Sequence, residues 1–415
     1  MRLSLLTAAL GLWLIAVTLT FGAKSHPMFL SDVGAGVLLI LFGLLSLSEK
    51  RAWARWAVGI VGAWLQFSPL AFFAPESMTY LNDTMTGVLA IIICFAMSRK
   101  EEAVGGIQRP IGWSYNPSAW THRVPTVFLA MLCWFFARYM AAFQLGYIDH
   151  IWDPLFKDGT LHVITSKISK DFPVSDAGLG AFCYTMEAIF GWQGDSRRWA
   201  TMPWLVLAFG FMVVPVGIVS ITLIILQPVV VGAWCSWCLA TAASMLVMIL
   251  LTAGELVATL QFLCEAKKSG YGVWQVLWKG LQPEKLAGAK AQPSKAKGGL
   301  GIGRPWNLVA SIAIGIWLMA SPSILGISGP VATSNYILGP LIAAFSVIAL
   351  AEVFRAARYF NILFGAGLIA AALFVSLAGV GALANNFATG ILVIALAWRK
   401  GEVGQTYGMS QRIIF

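Results

Sequence analysis

Charge is what this sequence has least of. Only 11% of its 415 residues are Asp, Glu, Lys or Arg, against about a quarter in a typical soluble domain. That shortage excludes a water-soluble globule, and the abundance of apolar residues excludes a disordered chain. Cysteine is sparse too, and six in the whole chain exclude a small secreted scaffold held by disulfides. The four histidines (His26, His122, His150 and His162) share no paired spacing, so a His-built metal site is not expected. What remains is apolar: 59% of residues are hydrophobic, with 18 Trp and 25 Phe, and mean hydropathy is +0.78. The composition is that of an all-α polytopic membrane protein. The net charge of +10 does not point to nucleic acid, because no basic cluster is interleaved with aromatics. It matches the Lys and Arg excess of cytoplasmic loops.

A hydrocarbon core of about 30 Å takes about 20 apolar residues per helix. Suitable stretches fall at 4–23, 32–48, 56–74, 80–98, 124–148, 203–227, 235–263, 306–325, 336–353, 359–377 and 380–398. The first is kept as a permanent helix rather than a signal peptide, for want of a small-residue cleavage site. With the N-terminus inside, Lys50, Arg51, Arg55, Arg99, Lys100, Arg109 and Arg123 are cytoplasmic. The linker 264–305 carries Lys267, Lys268, Lys279, Lys285, Lys290, Lys295, Lys297 and Arg304 against only Glu265 and Glu284. Eleven crossings leave that linker outside, against the positive-inside rule. A further crossing at 177–192 brings it in, together with Arg197 and Arg198. About twelve transmembrane helices are therefore expected, with both termini cytoplasmic.

The two ends of the chain repeat each other. Gly62-Ala63-Trp64-Leu65-Gln66-Phe67-Ser68-Pro69 and Gly315-Ile316-Trp317-Leu318-Met319-Ala320-Ser321-Pro322 share G-x-W-L-x-x-S-P. Asn82-Asp83-Thr84-Met85-Thr86-Gly87 parallels Asn385-Asn386-Phe387-Ala388-Thr389-Gly390, and Gly11-Leu12-Trp13-Leu14 is a weaker copy of the first motif. The unit is a helical hairpin, present twice before the middle region and twice after it. Ser-Pro at a helix end sets a stop or kink, and spaced glycines let helices approach closely. Segments 1–100 and 306–400 resemble the SPW-repeat family of bacterial membrane proteins, which implies two four-helix halves that scaffold or dock. The Lys-, Ala-, Gly- and Pro-rich linker 264–305 reads as a cytoplasmic hinge. Its glycines follow no strand and carry no nucleotide-loop signal.

The chemistry is concentrated in Trp234-Cys235-Ser236-Trp237-Cys238, which opens an apolar helix. Two residues between cysteines suit either a metal half-site or a dithiol/disulfide couple. The scattered positions of the other Cys and His disfavour zinc. A helix N-terminus stabilises a thiolate and speeds thiol exchange, and Pro228 breaks the backbone shortly before. With twelve crossings this helix begins at the outer face, where disulfides persist. The competing reading is two small apolar side chains packed among tryptophans. Cys94, Cys133 and Cys264 read as small hydrophobes.

Residues 118–263 resemble the vitamin K epoxide reductase family, especially its bacterial quinone-linked disulfide-forming members. The resemblance rests on NPSAWTHRVP (116–125), ARYMAAFQLGYID (137–149), FPVSDAGLGAF (172–182) and LQPVVVGAWCSWCLATA (226–242). It implies a central four-helix bundle between the two halves, with a quinone of ubiquinone or menaquinone type as co-substrate and no metal. By that analogy Cys238 lies nearest the quinone, and Cys235 exchanges with a periplasmic dithiol protein such as a thioredoxin-like partner. Trp234, Trp237, Thr241 and Ser175 are candidates for the pocket, although Ser175-Asp176 is also a helix N-cap pattern. The family commonly holds a second cysteine pair in the outer loop. Here 149–202 has only Cys183, a candidate resolving thiol, and Ala242 stands where many members have a tyrosine. Arg138 and Glu187 are a candidate buried charge pair, since ionisable groups inside a span are functional by default. Glu255 is similarly placed, but late enough in its helix to face the cytoplasmic interface.

The leading expectation is a quinone-linked thiol–disulfide oxidoreductase in the membrane. A non-catalytic scaffold that retains the bundle stands second. A transporter stands third, because no polar groups converge at mid-membrane.

Overall fold

A computed structural model describes residues 2–21, 25–98, 109–286, 299–374 and 380–412. Two helical hairpins come first: α1 (Arg2–Phe21), α2 (His26–Leu45), α3 (Trp53–Ala71) and α4 (Ser77–Ser98). The middle region holds α5 (Trp120–Gln144), α6 (Gly159–Ile164), α7 (Lys167–Lys170) and α8 (Asp176–Trp192). It continues through α9 (Arg198–Thr201), α10 (Pro203–Leu226), α11 (Ser236–Lys268) and α12 (Val273–Lys279). Two more hairpins close the chain: α13 (Trp306–Leu325), α14 (Gly329–Leu350), α15 (Phe360–Phe374) and α16 (Val380–Trp398). Among the described residues ten helices are long and apolar enough to cross a membrane. The other two expected crossings are helical as well. However, α8 has only 17 residues, and α3 carries Arg55, Gln66 and Pro69 along its length.

The chain divides into two compact units, Met1–Glu102 with Met131–Ile189, and Ala103–Ala130 with Phe190–Phe415. The first unit shows why the repeat sequence folds as it does. In each hairpin two glycines meet backbone to backbone: a Cβ added at Gly36 would lie 2.9 Å from the Gly11 carbonyl oxygen, and one at Gly62 would lie 2.8 Å from that of Gly87. The second unit repeats this, with Gly315 facing Gly339 and Gly365 facing Gly390. Three residues after each of these eight glycines comes a wholly buried apolar side chain. These are Leu14, Leu39, Leu65 and Ala90 in the first unit, and Leu318, Ile342, Leu368 and Val393 in the second. On a helix the i and i+3 positions share one face, so a glycine contact and a core position recur on every repeat helix. The tryptophan two residues after the first glycine bonds across to the neighbouring hairpin: Trp13 Nε1 to Asn82 Oδ1 (3.0 Å), Trp64 Nε1 to Ser31 Oγ (3.0 Å), Trp317 Nε1 to Asn385 Oδ1 (2.8 Å). Replacing Gly62 by Val forces α3 off α4, so a loss of about 3 kcal/mol or more is expected. Gly34, with nothing within 4 Å of an added Cβ, is expected to tolerate Ala with unchanged or raised stability. Thermal unfolding of the two variants in detergent checks the contrast.

The segment after α5 is ordered by two side chains. The Gln144 amide donates to Ile164 O (3.2 Å), Ser169 Oγ (2.8 Å) and Asp176 Oδ1 (2.5 Å). Asp153 accepts from the backbone N–H groups of Leu155, Phe156 and Thr160.

In the second unit the stretch expected as a hinge begins inside a helix. α11 runs on to Lys268, α12 follows, and Val276 and Leu286 are buried with Trp199, Phe262 and Ala266. Lys290, Lys295 and Lys297, like Arg99 and Lys100, lie outside the described residues. The chain's end is held by Glu352, whose carboxylate accepts from Gly404 N (3.1 Å), Gln405 N (3.1 Å) and the Tyr407 hydroxyl (2.9 Å). Burial pushes the Tyr115 and Tyr407 phenols well above their ordinary range. α14 lies against both α10 and α11.

Candidate functional site

The cysteine pair is positioned by a tight return between α10 and α11. Gln227-Pro228 cannot continue an ordinary helix, because proline lacks the N–H and crowds the preceding turn. A single π-type turn forms at Gln227–Val231 instead, and Gly232 reverses the chain at φ 74. Cys235 then takes an extended conformation and caps α11. Its N–H donates to Gln227 Oε1 (3.0 Å), and its sulfur accepts the Cys238 N–H (3.1 Å). The two cysteines are joined as a disulfide with Cα atoms 5.3 Å apart. This geometry explains the two-residue spacing: both sulfurs sit on the first turn, where the helix dipole favours negative sulfur. Cys235 is wholly buried, whereas Cys238 is half-buried.

Around the pair, Trp234 packs edge-on to Tyr336 of α14, ring centres 5.9 Å apart. Trp237 is half-buried. The Thr241 hydroxyl donates to the Cys238 carbonyl at 2.9 Å, so its proton is already committed. These aromatic and half-buried groups suit a flat ring beside Cys238. Gln227 and Tyr336 escaped the sequence reading. The Gln-Pro pair just upstream of the cysteines marked the first, while nothing in the sequence marked the second. A cavity of about 20 Å³ between α10 and α11, lined by Phe209, Ile249, Thr252 and Glu255 among others, is water-sized and begins about three turns beyond the cysteines.

The other expected residues are placed as follows. Ser175 belongs to the first unit and acts as the N-cap: its hydroxyl donates to Gln144 Oε1 and accepts Gly178 N–H at 2.9 Å. Cys183 is a free, half-buried thiol on α8. Cys94 and Cys133 are buried, whereas Cys264 is exposed. The expected Arg138–Glu187 pair does not form. Arg138 lies over the Tyr80 ring at 3.8 Å and donates to Thr84 Oγ1 at 3.1 Å, while both Glu187 oxygens are buried without a hydrogen-bond partner. An aromatic face and a hydroxyl satisfied the cation instead. The buried charge pair is elsewhere. Arg198 meets Glu255 through two 2.6 Å contacts, with Ser118 Oγ donating to the same carboxylate. Arg123 and Arg198 together take up the carbonyls of residues 190–195. Arg123, Arg197 and Arg198, read from sequence as cytoplasmic loop charges, are thus 2%, 3% and 1% exposed. Among the described residues no group of three His, Cys, Asp or Glu side chains can hold a metal.

Known families match in three places. The vitamin K epoxide reductase family matches residues 124–253, and the SPW repeat domain matches 2–97 and 305–400. No curated protein and no solved structure matches the chain. Among the described residues ten helices are those of a multi-pass membrane protein, and a stretch similar to the vitamin K epoxide reductase family lies between two stretches similar to the SPW repeat domain.

Proposed function

We propose that the central domain is a quinone-linked thiol–disulfide oxidoreductase working through Cys235 and Cys238. The observation that carries this is the disulfide closing the first turn of α11, one sulfur buried and one within reach. The burial favours Cys238, rather than Cys235, as the sulfur an incoming thiolate attacks. In that exchange the new bond forms at Cys238, the Cys235–Cys238 bond breaks, and Cys235 leaves as a thiolate. The Cys238 N–H and the helix N-terminus are in place to hold that negative charge. The second substrate thiolate then displaces Cys238, leaving an oxidised substrate and a reduced pair. A quinone, when bound, supplies the two-electron, two-proton acceptor. Trp234, Trp237 and Cys238 would hold its ring, at the outer face of a bacterial inner membrane. Dithiols of a thioredoxin-like periplasmic protein are the proposed electron source.

The test is direct. The protein in lipid nanodiscs is reduced mildly, freed of reductant and given ubiquinone or menaquinone analogues without oxygen. Differential alkylation with peptide mass spectrometry then follows the pair. Reoxidation that depends on quinone is expected; thiols that stay reduced at saturating quinone overturn the reading. The scaffold reading keeps one observation in its favour, because 149–202 offers only Cys183 where a relay pair is usual.

A further inference from the structure

The first unit contains two carboxylates that the disulfide chemistry does not use. Asp32 on α2 and Asp83 on α4 each stand four residues before the crossing glycine of their helix, Gly36 and Gly87. The repeat therefore gives them equivalent places. They are 2% and 0% exposed and lie within hydrogen-bonding reach of each other. Each is the seventh residue of its helix, about 9 Å along the axis. Asp32 Oδ1 and both oxygens of Asp83 have no hydrogen-bond donor, and among the described residues neither acid forms an ion pair with Lys or Arg.

A third group points the same way. Ser68 of α3 is wholly buried, and its hydroxyl has no partner. Its counterpart six residues after the other G-x-W-L glycine is Ser321, which accepts from the Asn335 amide at 3.2 Å. Asn335 stands four residues before Gly339, as Asp83 does before Gly87. In the repeat, Ser68 and Asp83 thus occupy the two positions that Ser321 and Asn335 occupy in the second unit, and neither Ser68 nor Asp83 has a hydrogen-bond partner. Thr18 of α1 is a neighbour of Asp32, with its hydroxyl donating to Leu14 O at 2.8 Å.

The second unit is the control that the sequence itself provides. There the same two positions are Asn335 and Asn386, both 0% exposed. Asn386 accepts from Asn385 (3.0 Å) and donates to Ser334 (3.5 Å). Amides are neutral and bring their own N–H donors. Carboxylates are acceptors only when ionised, and two of them side by side in a low-dielectric interior cannot both stay charged. The other ionisable groups nearby do not neutralise them. Arg138 of α5 is engaged with Tyr80 and Thr84, and Tyr80 and Tyr147 contribute phenols, not cations.

We propose that Asp32 and Asp83, with Ser68 and Thr18, form a monovalent-cation site in the N-terminal repeat segment, occupied by a proton or by Na+. The site is independent of the cysteine pair and of the reading given for it. A repeat that elsewhere only packs helices carries, in this copy, a charge-binding place inside the membrane.

The full chain in lipid nanodiscs is compared with the Asp32→Asn/Asp83→Asn variant, which recreates the amide pair that the second unit already folds around. Two signals are read, in choline chloride and in NaCl: the infrared band of protonated carboxyl groups, and the thermal midpoint. Glu187 contributes equally to both proteins. In choline, a protonated-carboxyl signal present in the native chain and lost in the variant is expected. Its persistence in NaCl identifies the ion as the proton. Its loss in NaCl, or a midpoint raised by NaCl only in the native chain, identifies Na+. Identical infrared spectra together with identical NaCl responses overturn the proposal. Should the double variant fail to fold, Asp83→Asn alone serves the same comparison.

Discussion

Replacing either Cys235 or Cys238 by serine is expected to cut dithiol turnover by about 1,000-fold or more, and the two variants are expected to differ sharply in the thiol that remains. A two-electron couple needs both sulfurs, so neither variant can close the internal disulfide, and the loss of turnover is shared. Access is not shared. In Cys235→Ser the surviving thiol is Cys238, half-buried on the first turn of α11. In Cys238→Ser it is Cys235, wholly buried beneath the Gln227 return. Alkylation by iodoacetamide is therefore expected to be about tenfold or more faster in Cys235→Ser, since reaction requires contact with the thiolate. Equal alkylation rates would remove the assignment of Cys238 as the attacked sulfur. Turnover retained in either variant would remove the redox role altogether.

The helices were legible because their signal is strong and local. Runs of about 20 apolar residues have few alternatives in lipid, and the G-x-W-L-x-x-S-P motif made the hairpin repeat visible. All four hairpins were readable, but their common contact was not, because only the structure shows that Gly36 and Gly365 do the same work as Gly87 and Gly62. What recurs is a spacing along a helix face, with a glycine followed three residues later by a buried apolar side chain. Leu, Ile, Val and Ala all satisfy it. Boundaries were less legible. α11 passes the expected end of its span and runs to Lys268, because a helix can leave the hydrocarbon layer and continue on protein contacts.

The cysteine site was legible as a motif, since C-x-x-C at a helix start has few chemical meanings. Its orientation was not, because burial of one sulfur and not the other depends on the return at Gln227 and Gly232. Charges misled most. The positive-inside rule counts arginines, but it cannot tell a solvated loop charge from one enclosed by backbone carbonyls. Arg123 and Arg198 are of the second kind. The Arg138–Glu187 pairing failed for a related reason: in the sequence a buried cation invites a carboxylate, yet the Tyr80 ring was closer.

Glu255→Ala is expected to be the most damaging substitution for stability away from the glycine crossings, at about 3–5 kcal/mol. The substitution leaves the Arg198 guanidinium buried, 1% exposed, without its counter-charge. Ser118 loses its acceptor as well. The guanidinium cannot simply turn to water, because it also holds the carbonyls of Phe190, Gly191 and Gln193. Removing both partners, in Arg198→Met/Glu255→Met, relieves the unpaired charge but strands those carbonyls. The double variant is thus expected to recover only part of the loss, which separates this network from a simple ion pair. Thermal unfolding in nanodiscs measures the ranking, and limited proteolysis across 190–198 reports where the structure opens. Glu255 lies 17 residues beyond Cys238 on one helix, about 25 Å away. The alkylation rate of reduced Cys238 at a temperature where the variant remains folded is therefore expected to be unchanged. A changed rate would mean that the carboxylate takes part in the redox site, and an undiminished midpoint would mean that the segment 190–198 is held by Arg123 alone.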